Sequence, residues 1–168
     1  MKRILIIGPA GAGKSTLARE LKKHLRIPLI NLDQLYWHPN WVRPKDDEWK
    51  NKVQKLIQKN EWILDGMYQS TLDLRIPRAD TIIFMDVPRL ICLWRVLKRR
   101  IKKTQVAPGC IEKLDLEFIM YIWNFPKRKR PGILKSLKKW KNKKKIHIIN
   151  SEKEMWKFLK DIKTKNQL

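Results

Sequence analysis

Cysteine, glycine and acidic residues are all scarce in this chain of 168 residues, and each shortage excludes something. The only cysteines, Cys92 and Cys110, are too few for a disulfide framework and have no partners at metal-ligand spacing. A fold held by its core in a reduced compartment is expected, with both thiols inert. No uninterrupted apolar stretch is long enough to cross a bilayer, and the first residues lack a basic segment, a long apolar segment and a small-residue cleavage site. The expectation is therefore a cytoplasmic protein without a membrane partner. Only 16 acids stand against 39 lysines and arginines, a net charge of +23. Such a balance points to an anionic partner such as nucleotide or nucleic acid, although solvated lysine-rich helices give the same number. With 43% hydrophobic residues and no internal repeat, residues 1–168 read as one domain with a real core.

Short β-branched runs alternate with helical patterns, the sequence form of repeated strand–helix–strand units around a parallel sheet. Five strands are expected, at 3–8, 28–33, 62–66, 80–86 and 145–150. All are apolar without polar alternation, as strands covered on both faces should be. Leu17, Leu21 and Leu25 recur at helical spacing and stop before Pro28. A second helix opens with Asp46, Asp47 and Glu48 and carries Trp49, Val53, Leu56 and Ile57 on one face. Another fills 90–103, and Ser151 to Glu154 form a capping box for the last. Two basic stretches, "PKRKRP" and "KKWKNKKK", read as a mobile flap and a solvated helix end.

What glycine there is concentrates at one place. "IIGPAGAGKST" holds Gly8, Gly11 and Gly13 between a buried strand and an amphipathic helix, and Gly8-x-x-x-x-Gly13-Lys14-Ser15 is a Walker A phosphate loop. The loop from Gly8 through Pro9, Ala10, Gly11, Ala12 and Gly13 to Thr16 would cradle phosphate oxygens with its backbone N–H groups, Pro9 having none to offer, at a helix N-terminus. Lys14 would reach the outer phosphates, and Ser15 would hold Mg²⁺. Phosphoryl transfer needs positioning and positive charge more than covalent work, so strand-end acids and nearby arginines are the next residues to seek. Asp65 ends the strand "WILD", where it could hold a water on the metal; a turn aspartate before Gly66 is the plain alternative. Asp33 ends the second strand at the same sheet edge.

These blocks carry a resemblance. With "NLDQLYW", "TLDLR", "ADTIIFMDVPR", "ICLWRVLKRR" and "KLDLEFIMYIWNFPKRKRPGI", the chain resembles the P-loop kinases related to adenylate kinase, and among them the bacterial DNA topology modulation proteins of the FlaR type. The resemblance implies an α/β fold: the three-layer αβα P-loop NTPase architecture, its five parallel strands in order 2-3-1-4-5, with a small helical lid over roughly residues 100–132. It also implies an ATP·Mg²⁺-dependent phosphotransferase acting on a nucleotide or other small-molecule acceptor, a monomer being favoured. The family name adds an alternative, an ATP-binding protein that engages DNA through its basic surface and changes its topology. Carried over by pattern, Arg95 would pack against adenine. Arg99, and with it Arg100, would neutralise charge on the transferred group, and Asp33 would bind the acceptor and accept a hydroxyl proton. Arg128 and Arg130 could close from the far side of the lid, an ordinary basic surface run being the alternative. Adenylate kinases follow the third-strand "DG" with a phenylalanine, a proline and an arginine that grips the acceptor phosphate, whereas this chain reads Met67-Tyr68-Gln69-Ser70. Arg75 or Arg78 could reach back instead, or the acceptor could carry no phosphate and offer a hydroxyl to Asp33. Tyr36, Trp37 and Trp41 could stack on a base or sugar, or simply be core.

Overall fold

The computed structural model describes residues 1–112 and 114–165; Lys113, inside the expected lid, and residues 166–168 of the expected domain lie outside the described residues. The strands are β1 (Arg3–Ile7), β2 (Leu29–Asn31), β3 (Trp62–Asp65), β4 (Thr81–Met85), β5 (Gln105–Ala107), β6 (Cys110–Ile111) and β7 (Lys145–Ile149). The helices are α1 (Lys14–Leu25), α2 (Leu32–Tyr36), α3 (Asp46–Ile57), α4 (Leu72–Arg78), α5 (Arg89–Ile101), α6 (Leu116–Arg128), α7 (Arg130–Trp140) and α8 (Glu152–Lys165). Five strands pair in parallel as β2-β3-β1-β4-β7, the order expected from the resemblance, with β7 as its fifth strand.

Alternation along β1 divides the core. Ile4 and Ile6 join Leu17, Ala18 and Leu21 of α1 and Met155, Leu159 and Ile162 of α8 on one face. Leu5 and Ile7 join Trp49 and Val53 of α3, Ile76 of α4 and Leu137 of α7 on the other. Each fully buried side chain of this size stabilises the fold by about 1.5–3 kcal/mol relative to exposure. Both faces being covered explains why the strands read as continuous apolar runs. The register Asn31↔Asp65 and Ile6↔Asp65 brings the ends of β2, β3 and β1 to one edge, where the connecting loops gather.

Three expectations are corrected. β2 stops at Asn31, because the Asn31 side chain accepts from the Asp33 and Gln34 N–H groups at 2.9 and 3.4 Å and opens α2. Asp33 therefore sits in the first turn of a short helix, not on a strand. The lid span contains an antiparallel hairpin, β5–β6, which no periodicity announced. "PKRKRP" is no flap: it crosses the junction of α6 and α7, with Pro126 late in the first and Pro131 at the start of the second, where proline fits. Of the expected capping box, the forward half forms, Glu154 N–H donating to Ser151 Oγ at 3.2 Å, while the Glu154 carboxylate reaches one residue further back and accepts from Asn150 N–H at 2.8 Å.

Candidate active site

The phosphate loop is clamped from two sides. Gly8 and Gly11 have φ of 145° and 79°, and a Cβ on either would run into a backbone carbonyl, that of Met85 in β4 or of Cys92 in α5. Only glycine fits both the conformation and the space. Gly13, at φ 95°, begins α1 without a side-chain cap, and no acid lies in the first turn. The positive helix end thus meets the loop uncompensated. Lys14 Nζ curls over the loop and donates to the Pro9 carbonyl at 2.9 Å.

Beneath the loop, Ser15 Oγ donates to Asp65 Oδ2 at 2.5 Å. Asp65 is 2% exposed, and its Oδ1 has no hydrogen-bond partner among the described residues. Burial raises its carboxyl above the usual range, against the pull of Lys14 and the Ser15 hydroxyl. A buried carboxylate oxygen in want of a donor, beside a serine hydroxyl, is a hard-oxygen donor set suited to Mg²⁺. No group of three or more His, Cys, Asp or Glu gathers at metal-binding distance among the described residues, so nucleotide phosphates would have to complete the coordination.

Three of the arginines near the loop and the lid are held by carboxylates. Arg95 pairs with Glu152 of α8 at 2.7 Å and leans over the phosphate loop, 3.5 and 3.4 Å from the Gly11 and Ala12 carbonyls. Arg99 lies 2.9 Å from Glu112, whose side chain is 3% exposed, as an ion pair without hydrogen-bond alignment. Arg130 donates to Asp86, just past β4, at 2.7 Å. Arg100 and Arg128 are exposed.

On the other side of the sheet edge, Asp33 Oδ1 accepts from the Tyr68 hydroxyl at 2.8 Å. Burial, then the Asp33 charge, drives the Tyr68 phenol far above its ordinary range, so it stays a donor. Tyr36 packs against Trp37, Trp49 and Tyr68 with ring centroids 4.9, 4.9 and 4.5 Å away, and Trp37 meets Trp41 at 5.0 Å. Trp49 is core; Tyr36, Trp37 and Trp41 keep partial exposure. Arg75 is fully buried, donating to the carbonyls of Gly66, Met67 and Tyr68 at 2.8, 2.6 and 2.6 Å. Burial pulls its guanidinium down to about 9, which leaves it charged at neutral pH. Arg78 donates to the Ile57 and Gln58 carbonyls. The β5–β6 hairpin bridges toward this side: Cys110 Sγ donates to the His38 carbonyl at 3.1 Å, and Asn40 N–H to that of Gly109 at 3.4 Å.

Sequence reasoning missed Tyr68, Glu112 and Glu152. Tyr68 had a signal, its place directly after the third-strand "DG" and Met67; the two glutamates reach the arginines only through folding.

Several known proteins are similar. YqaC, an uncharacterized protein of Bacillus subtilis (strain 168), is 30% identical over 104 residues, 61% of this chain and 58% of its own length. Adenylate kinase 1 of a Nostoc species is 28% identical over 118 residues, 68% of this chain and 62% of its own. This chain therefore spans under two thirds of each relative. Among solved structures, shikimate kinase from Bacteroides thetaiotaomicron superposes with a TM-score of 0.61 at 17% identity, covering 99% of both chains. A deoxyadenosine kinase from M. mycoides does so at 0.58 and 16%, covering 98% of this chain and 97% of its own. Both share the fold seen here. The AAA domain family matches residues 4–119, and on that match, with its phosphate loop and sheet in place, the chain belongs to that family of P-loop proteins.

Proposed function

We propose that this protein is an ATP·Mg²⁺-dependent phosphotransferase that moves the γ-phosphoryl group of ATP to a small-molecule acceptor lodged beside Asp33. The observation that carries the reading is the Ser15–Asp65 contact, which sets a serine hydroxyl and a buried, half-unpaired carboxylate directly below the phosphate loop. The likeness to adenylate, shikimate and deoxyadenosine kinases supports the same reaction class.

The loop amides from Gly8 to Thr16 and the α1 terminus bind the phosphate chain, and Lys14 exchanges its Pro9 carbonyl for the outer phosphates. Arg95 and Arg99 exchange carboxylate partners for phosphate oxygens and spread the charge that develops on the moving group. Asp33, held by Tyr68, orients the acceptor hydroxyl and takes its proton. Ser15 and Asp65 would hold Mg²⁺, directly and through water, and the ion would supply neutralisation of phosphate charge. Calorimetry tests the first step: wild type should bind ATP·Mg²⁺ and Lys14→Ala should lose most of that affinity while staying folded. Equal affinity in the variant would remove the phosphate-loop reading.

A second reading, DNA engagement, draws on the exposed lysines Lys138, Lys139, Lys141, Lys143 and Lys145, which lie together at the end of α7 and the start of β7.

A further inference from the structure

We infer that the outer face of α5 and α6 docks on a membrane surface rich in anionic lipid. This face lies apart from the phosphate loop, and its role does not depend on the phosphotransferase reading.

Nine of the fourteen large hydrophobic side chains left exposed among the described residues fall between Leu90 and Trp123. Single surface leucines are ordinary, whereas a cluster of this size marks a contact surface. On α5, Leu90, Trp94, Leu97 and Ile101 recur at helical spacing and stand in one row, Trp94 and Ile101 being 64% and 72% exposed. The opposite side of the helix carries Cys92 and Val96 into the core. On α6, Leu116, Met120 and Trp123 form a second row, turned away from the buried Ile122 and Phe125. The two rows are joined at one end, where the Arg89 guanidinium lies 3.8 Å over the Trp123 ring and donates to the Trp123 carbonyl at 3.3 Å.

The rim decides the occupant. Lys98 and Arg100 straddle the α5 row and Lys127 continues the α6 row, all three exposed. α5 contains no acid; the acids at the rim, Asp115 and Glu117, stand at the start of α6, where Asp115 caps the helix by accepting from Phe118 N–H at 2.8 Å. A second copy of the chain would set these bases against their own kind. A partner helix would need a groove, and the principal cavities among the described residues lie elsewhere, one beside α3 and one lined from β7 and α8. An anionic bilayer suits every feature: it takes leucine and isoleucine into its acyl boundary, holds tryptophan rings at headgroup level, and attracts the lysines and arginines around them. Each base at such a surface raises partitioning roughly fivefold.

No helix among the described residues is long and apolar enough to cross a membrane, so the contact is along its surface. The expectation of no membrane partner rested on spanning and leader segments, and a surface contact needs neither. Arg95 and Arg99 leave α5 from its other side, toward the phosphate loop and Glu112, so a docked chain keeps its nucleotide loop open.

The test is co-sedimentation of the full chain with vesicles of phosphatidylcholine and phosphatidylglycerol in equal parts, with phosphatidylcholine alone as reference. Because a net charge of +23 draws the chain to any anionic surface, the deciding comparison is the double variant Trp94→Ser, Leu97→Ser, which alters no charge. It should bind the mixed vesicles at least about 10-fold more weakly than wild type, with melting temperature and ATP affinity unchanged. Leu90→Ser with Met120→Ser provides the same comparison should the first pair lower the melting temperature. Wild type should stay partly bound at about 1 M salt, where the screening length is about 3 Å, and the double variants should not. Lys98→Gln should weaken binding roughly fivefold. Equal binding by wild type and the double variants, or complete loss of wild-type binding at that salt, leaves charge alone as the cause and overturns the inference. Dimerisation that the double variants abolish, or capture of a synthetic acidic amphipathic peptide, overturns it likewise where the mixed vesicles are not bound.

Discussion

Ser15 and Asp65, 50 residues apart in sequence, meet across 2.5 Å because β1 and β3 are parallel neighbours and their carboxyl ends finish side by side. That pairing leaves Asp65 with one satisfied oxygen and one orphan, and the orphan has a thermodynamic signature.

Burial raises the Asp65 carboxyl in the folded chain, so its contribution to stability is full below the unfolded pKa and is lost as pH rises through the folded one. Asp65→Asn cannot ionise. Its melting temperature without ligands should therefore exceed that of wild type, by a margin that widens as pH rises above about 4, the ordinary carboxylate value. Mg²⁺ with nucleotide should raise the wild-type value more than the variant's, and turnover should fall severely. Scanning calorimetry across that range, with and without Mg²⁺, and a turnover assay check all three; a variant less stable than wild type at neutral pH contradicts the account.

Arg99→Ala should lower turnover on the order of 10³-fold, as loss of a charge-stabilising arginine does. It should also cost about 1–3 kcal/mol of stability, because Glu112 stays buried without its partner. Adding Glu112→Gln should restore the stability and not the turnover. Urea unfolding and steady-state rates on both variants separate the two roles; recovery of rate in the double variant would make Arg99 a structural residue only.

Gly11→Ala should impair folding and nucleotide binding together. The added methyl meets the Cys92 backbone carbonyl at a φ of 79°, and strain at such a position alone is about 1–3 kcal/mol. Melting temperature and ATP titration on the same preparation check it, and normal values for both would mean that the loop and α5 are free to separate.

Lys141, Lys143 and Lys145 are exposed, whereas Lys144 donates to the Pro77 carbonyl at 2.6 Å and packs on Trp140. Neutralising the three exposed lysines should leave phosphotransfer within about twofold of wild type, the scatter usual for surface changes. If DNA is a partner, the same variant should bind it more weakly, with the salt slope reduced by about 0.9 for each phosphate that the protein no longer neutralises. Filter binding at several salt concentrations and the turnover assay, run side by side, assign the charge to one activity or the other.

The phosphate loop, the five strands of the sheet and helices α1, α3, α5 and α8 were legible in the sequence, because each rests on local rules, whereas α4 and α7, which also pack on the sheet, were not. Glycines at fixed spacing permit one loop; unbroken apolar runs require strands covered on both sides; Leu17 and Leu21 recur at the helical period. Asp33 was misplaced onto a strand because an asparagine cap is two residues of local hydrogen bonding inside an apolar run, too short to alter any periodicity. The β5–β6 hairpin escaped for the same reason, its strands being three and two residues long. What only tertiary structure decided is which charge meets which: Arg95 with Glu152, Arg99 with Glu112, Arg130 with Asp86, and Arg75 with three carbonyls. With 39 cations in the chain, composition cannot choose among partners; the crossing of α5 over the phosphate loop and the turn after β3 choose them, since a buried charge is stable only where the fold supplies its counterpart.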